Sequence, residues 1–145
     1  RPTSDTSRWA SRLLAAPLFG RVRQMGYVTT ENREILLKQA RMLVLPSFDE
    51  GFGLPILEAM SAGVPIVASN RGALPEVLGD TGLLVDPTDT QSLANAIQKT
   101  LSDSHHVRVS VTRGIQRASH YSWQRSARIL RDAYAMAIEN RRLNI

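Results

Sequence analysis

Three short apolar runs constrain the fold of this chain more than any other feature. They are Met42-Leu43-Val44-Leu45, Pro65-Ile66-Val67-Ala68 and Gly82-Leu83-Leu84-Val85, and a proline or a polar turn follows each one. Unbroken runs of this length read as strands buried on both faces, the usual state of strands in a parallel sheet. Arg21-Val22-Arg23-Gln24-Met25 alternates polar and apolar residues up to Gly26 and predicts one more strand.

Helical patterns fill the gaps. Trp9, Leu13 and Ala16 fall on one side of a segment at Arg8–Ala16. Thr30 suits the N-cap of a helix from Glu31 to about Arg41, with Ile35, Leu36 and Ala40 facing inward. Pro55 suits the first position of a helix that ends near Ala62, where Gly63 can close it. A short helical segment follows at Leu74–Leu78. Asp89 or Thr90 then caps a helix whose Leu93, Ala96, Ile97 and Leu101 recur at helical spacing. Two more helices are expected, from about His105 to Ser119 and from Ser122 to about Arg142. The last carries an apolar stripe of Trp123, Ala127, Leu130, Tyr134 and Ile138. Strands and helices alternating at this spacing predict an α/β fold. It is a Rossmann-like parallel sheet flanked by helices, with right-handed crossovers and a helical C-terminal tail. No repeat or flexible linker interrupts the pattern, so residues 1–145 read as a single domain.

In an open sheet of this kind, ligands gather outside the carboxyl ends of the strands. Two polar turns fall there: Ser47–Leu54, and Ser69-Asn70-Arg71-Gly72. The first is dense in chemistry. Glu50 and Glu58 flank a glycine-rich turn, Gly51-Phe52-Gly53-Leu54, that runs through Pro55 into a helix. The first amides of a helix have no partner within it and sit at the positive end of its dipole. Those of Gly51 to Leu54 therefore suit an anion or sugar hydroxyls. Glu58 lies about one turn further on, and helix side chains lean back toward the N-terminus. Taken as an isolated pair, the two glutamates are as well read as solvated surface residues. A plain helix start, however, needs neither Gly51 nor Gly53. The site suits a ligand bearing both hydroxyls and phosphates.

The stretch Glu50-Gly51-Phe52-Gly53-Leu54-Pro55-Ile56-Leu57-Glu58-Ala59-Met60, followed by Gly63-Val64-Pro65-Ile66-Val67-Ala68-Ser69-Asn70, carries a resemblance. It resembles the donor-site signature of the retaining, GT-B-fold, group 1 glycosyltransferases, which is marked by two glutamates with seven residues between them. Gly26-Tyr27-Val28, Pro75-Glu76-Val77, Gly82-Leu83-Leu84-Val85 and Tyr121-Ser122-Trp123 extend the likeness from about Val22 to the last helix. The resemblance implies that Glu50 is the catalytic carboxylate beside the transferred sugar. Glu58 would hold the ribose hydroxyls of a UDP-, GDP- or ADP-sugar. Gly51, Phe52, Gly53 and Leu54 would bind sugar hydroxyls and the distal phosphate through their amides, and backbone near Val28 would meet the base. It further implies transfer with retention, no cofactor and no metal; His105, His106 and His120 lie in the helical tail without ligand-like spacing. The first strand of the family's C-terminal domain, the basic pair that grips pyrophosphate, and the acceptor domain have no counterpart in this sequence. The expectation is an N-terminally truncated donor-binding domain, inactive alone, whose partner is the missing N-terminal acceptor domain. The lost strands would fall between the Val22 and Met42 strands and leave an unpaired edge. The alternative is a non-catalytic module that binds a nucleotide-sugar or a partner.

Composition narrows the remaining classes. The 145 residues carry a net charge of +5, and 43% of them are hydrophobic, as expected of a globular chain. The arginines are scattered and never interleave with aromatics, which argues against nucleic acid. Arg125, Arg128, Arg131, Arg141 and Arg142 make the last helix a candidate for peripheral contact with an anionic membrane. The chain has no cysteine, so disulfide and thiolate chemistry are excluded. It has no bilayer-length apolar run and no export signal, and a cytoplasmic location is expected, peripheral to the inner membrane face if that helix docks. The start at Arg1 rather than Met leads to the expectation of a piece of a longer protein. Asp49 reads as an exposed loop residue, Glu76 caps or faces solvent as readily as it approaches the donor, and Trp9 and Trp123 read as packing anchors.

Overall fold

A computed structural model describes residues 20–143, so the helix expected at Arg8–Ala16, with Trp9, lies outside the described residues. The chain divides into two compact units, Arg1–Asn32 and Arg33–Ile145. The described elements are α1 (Thr30–Gln39), β1 (Leu43–Leu45), α2 (Leu54–Ser61), β2 (Ile66–Ser69) and α3 (Leu74–Leu78). They continue with β3 (Leu83–Val85), α4 (Thr90–Ser102), α5 (Ser104–Ala118) and α6 (Trp123–Leu143).

The three apolar runs become a parallel sheet in the order β1-β2-β3. Leu43, Val44 and Leu45 pair with Ile66, Val67 and Ala68, and the last two pair in turn with Leu83 and Leu84. The expectation of strands covered on both faces holds for β2 alone, buried at all four positions. β1 is only half-buried and Leu84 of β3 is 36% exposed. The reason is lateral position, because a flanking strand loses cover on its outer side. Ile66 and Ala68 face one layer, with Ile56, Ala59 and Met60 of α2, Leu74, Val77 and Leu78 of α3, and Ala118 of α5. Val67 faces the other layer, with Val85 and with Ala96 and Leu93 of α4. Each buried isoleucine, leucine, valine or methionine side chain among these contributes roughly 1.5–3 kcal/mol, and each alanine less.

The helix ends follow their local chemistry. Gly63 closes α2 as expected: its N–H bonds Met60 O at 3.0 Å and that of Val64 bonds Ala59 O at 2.9 Å, the paired pattern of a Schellman end. Asp89 caps α4 by accepting Ser92 N–H at 2.9 Å and Ser92 Oγ at 2.6 Å. Asp103 caps α5 by accepting His106 N–H at 2.9 Å. Arg117 of α5 donates to the carbonyls of Val77 and Glu76 and so satisfies the end of α3.

Several expectations are corrected. Residues 22–26 form no strand, and Val22 and Met25 are each 44% exposed. A strand is stabilised by its ladder partners, and two apolar residues among arginines supply too little burial to order one alone. On α1 the half-buried residues are Leu37 and Ala40, while Ile35 and Leu36 are exposed; Thr29, one residue before the expected cap, accepts Asn32 N–H at 3.3 Å. The helix is thus turned by about one position from the face the sequence favours. Pro55 is the second residue of α2, not the first, because Gly53 takes the cap. Leu101, one residue from the end of α4, is 49% exposed rather than packed inward. Trp123 is 81% exposed rather than a packing anchor, and every residue of α6 from Trp123 to Arg141 is exposed. Its apolar stripe has no layer to pack on among the described residues.

Two predictions follow from this packing. Amide exchange should be slowest in Ile66–Ser69 and fast in residues 22–25; strong protection of the latter by hydrogen-exchange mass spectrometry would contradict the unpaired state given to them. The capping carboxylates also make stability acid-sensitive. The bonds from Ser92 hold the Asp89 carboxyl below its ordinary 3.8, and the His106 N–H does the same for Asp103. A carboxylate whose folded pKa is depressed stabilises the fold above its unfolded pKa and loses that contribution as pH falls through the folded value. Thermal midpoints should therefore drop as pH falls below 3.8, and Asp89→Ala should lower the midpoint at neutral pH and flatten that acid limb.

Candidate functional site

The loops after the three strands all leave the same end of the sheet, and hydrogen bonds tie each to the next. Ser69, wholly buried at the end of β2, donates from Oγ to Ser47 O at 2.6 Å and accepts the Arg71 N–H at 3.3 Å. Ala73 N–H donates to Glu50 O at 3.0 Å, so the loop after β2 holds the main chain of the first glutamate. Asn70 N–H reaches Val85 O at 2.8 Å, and Arg71 Nη2 meets Asp86 Oδ2 at 2.8 Å. Asp86 is held further by Thr88, whose hydroxyl and N–H both donate to it, and its carboxyl lies below the ordinary range mainly for that reason.

Two glycines make the arrangement fit. Gly72 has φ +55°, and a Cβ there would stand 2.7 Å from Glu50 O and 2.8 Å from Glu50 N. Gly53, the N-cap of α2, has φ +89°, and a Cβ there would stand 2.9 Å from Cδ2 of Leu74. The glycine-rich turn therefore lies against the α3 side of the molecule as closely as backbone permits.

Glu50 is half-buried in this turn, and Gly51 is exposed. Phe52 is 47% exposed and meets Tyr121 edge-on, with ring centroids 6.3 Å apart at 76°. Gly53 is buried, and Leu54 is 49% exposed as the first residue of α2. Gly53 O already accepts from Ile56 N at 3.0 Å, which closes the first helical turn. Among the described residues, the amides of Gly51, Phe52, Gly53 and Leu54 donate to no protein acceptor. The turn thus leaves four consecutive N–H groups without a protein acceptor among the described residues, those of Gly53 and Leu54 at the positive end of a helix. Glu58, on the fifth position of α2, is half-buried and forms an ion pair with Arg33 of α1, Nη2 to Oε1 at 2.8 Å. Val28 is half-buried and belongs to the unit Arg1–Asn32.

The structure thus brings Gly51 to Leu54, Glu50 and Glu58 onto one loop–helix unit. Sequence reasoning missed Arg33, and it set Ser69 and Gly72 in a turn at this end of the sheet without their roles. For Arg33 a signal existed: Arg33, Leu37 and Ala40 share one helix face at i, i+4 and i+7. The roles of Ser69 and Gly72 depend on which loops the strand order brings together. Asp49 is exposed, as expected of a loop residue, and of the two readings left open for Glu76 of α3 the structure has it exposed. His105 and His120 are exposed and His106 is half-buried; among the described residues no three His, Cys, Asp or Glu side chains are grouped as metal ligands.

Known proteins resemble this chain in sequence and fold. The family model described as "Glycosyl transferases group 1" matches residues 3–103. The O-antigen chain mannosyltransferase B of Escherichia coli is 44% identical over 117 residues, covering 81% of this chain and 31% of that protein. Sucrose-phosphate synthase from Thermosynechococcus elongatus has a similar structure, with a TM-score of 0.85 and 31% identity over 97% of this chain and 36% of its own. An Anabaena protein solved in complex with UDP-glucose superposes with a TM-score of 0.73 and 26% identity, covering 79% of this chain and 32% of that one. The chain spans about a third of the length of these proteins.

The clamp on Glu50 gives a prediction that needs no ligand. Gly72→Ala adds a Cβ against backbone that cannot retreat, at a φ that L-residues avoid, and should cost about 1–3 kcal/mol in urea denaturation. An unchanged midpoint would mean that the two loops are not held together as described.

Proposed function

The chain belongs to the group 1 glycosyltransferases, and from that premise we propose that it is the donor-binding part of an enzyme that moves a sugar from a nucleotide-sugar to an acceptor with retention of configuration. The carrying observation is the row of unpaired amides from Gly51 to Leu54, set between Glu50 and Glu58 on loops that the sheet holds in place. Those amides bind the distal phosphate and the sugar hydroxyls, with the dipole of α2 favouring the anion. Glu58 accepts hydrogen bonds from the ribose hydroxyls, since a carboxylate can serve two neighbouring O–H donors. Glu50 lies beside the sugar and stabilises the positive charge that develops at the anomeric carbon as the nucleotide leaves. Val28 contributes backbone contacts to the base.

The mannosyltransferase name of the Escherichia coli relative favours a hexosyl, and first a mannosyl, group as the one transferred. The UDP-glucose held by the Anabaena protein supports a nucleoside diphosphate as its carrier. No cofactor enters this scheme; the nucleotide-sugar is the substrate. The chain alone binds donor without turnover and needs the acceptor-binding part of the whole protein for transfer. A cytoplasmic location, peripheral to a membrane through the basic α6, belongs to the same proposal.

Titration with UDP-, GDP- and ADP-sugars, with product followed in the whole protein, tests the scheme. Glu58→Ala should weaken nucleotide binding about tenfold or more, the scale of a charge-assisted hydrogen bond. Glu50→Gln should leave binding nearly unchanged and reduce transfer about 100-fold or more. Normal binding and transfer in both variants would overturn the assignment of the site; binding without transfer in the whole wild-type protein would favour a non-catalytic module.

A further inference from the structure

Glu58 does not stand free in the structure: the guanidinium of Arg33 is 2.8 Å from its Oε1. Both helices that carry the pair are anchored independently of it. α1 lays Leu37 and Ala40 against the core, and α2 buries Ile56, Ala59 and Met60. Arg33 precedes Leu37 by four residues, so the packing that seats α1 aims Arg33 at α2. The side chains remain open to solvent, 50% exposed for Arg33 and 32% for Glu58. The pair therefore borders accessible space, where a ligand can reach the carboxylate.

A glutamate on a helix surface samples several rotamers, and fixing it on ligand binding costs conformational entropy. A partner that already occupies one oxygen removes part of that cost before the ligand arrives. The second oxygen, with the lone pairs left on the first, still has room for two hydroxyl donors, because a carboxylate offers roughly four acceptor sites. Lysine in place of arginine would keep the charge but lose the planar fork that fixes direction.

We propose that Arg33 is a positioning residue for the hydroxyl-binding carboxylate: it holds Glu58 in the rotamer that receives the ribose diol of the nucleotide, and it acts through Glu58 rather than on the ligand. The inference rests on the site described under Proposed function. Its effect is modest, because exposed ion pairs couple weakly.

The test uses calorimetric titration of the full chain with UDP and GDP, each compared with its 2′,3′-dideoxy form. In the wild type, whichever nucleotide binds should bind more tightly as the ribo form. Arg33→Gln should weaken ribo binding about threefold, the scale of an exposed ion pair, and leave dideoxy binding unchanged. Arg33→Lys should recover part of the loss. In a Glu58→Ala background Arg33→Gln should have no further effect, and circular dichroism melting should show all variants folded. Equal weakening of ribo and dideoxy binding would overturn the proposal in favour of a direct or purely structural role. So would an added loss in the Glu58→Ala background, tighter binding by Arg33→Gln, or no change at all. A Glu58→Ala chain that still prefers the ribo form would instead overturn the ribose role of Glu58, and the proposal with it.

Discussion

The close approach of Gly72 to the backbone of Glu50 is the constraint on which the site depends. A parallel sheet delivers its loops to one end, but delivery alone leaves them to wander. Here a side chain would have to stand 2.7 Å from Glu50 O, so only glycine lets the two loops meet. Once they meet, Ala73 N–H and Ser69 Oγ bond across the gap and fix the turn that opens α2. The unpaired amides of Gly51 to Leu54 therefore keep their direction without a ligand. Preorganised donors of this kind are worth more than flexible ones, because binding does not have to order them.

The buried centre of the fold was readable in the sequence. β2 and the caps at Gly63 and Asp89 come from local rules, apolar run length and cap-residue chemistry, and those rules were enough. What failed did so where the deciding partner lies far along the chain. The alternation at Val22–Met25 gives a strand pattern, but a strand also needs a neighbour. The face of α1 was misplaced because Ile35 and Leu36 are as apolar as Leu37, and only the position of the core decides among them. At the site, the glutamate pair and the glycine turn were visible as chemistry. The contacts of Arg33, Ser69 and Gly72 were not, since their partners Glu58, Ser47 and Glu50 lie about 22 to 25 residues away in sequence, across the fold.

The described residues also carry apolar surface that nothing among them covers: Ile35 and Leu36 on α1, and Trp123, Leu130, Tyr134 and Ile138 on α6. The Escherichia coli mannosyltransferase and the sucrose-phosphate synthase that resemble this chain are about three times its length. The loops around Glu50, by contrast, belong to neighbouring elements of one unit, so their local geometry does not depend on those faces.

Nuclear magnetic resonance of the amide groups during titration with UDP-glucose and with GDP-mannose tests the central claim most directly. The account predicts that the largest shifts fall on the N–H signals of Gly51, Phe52, Gly53 and Leu54 at the mouth of α2. Shifts confined to other elements, such as α5 or α6, or the absence of any shift at saturating donor, would contradict it.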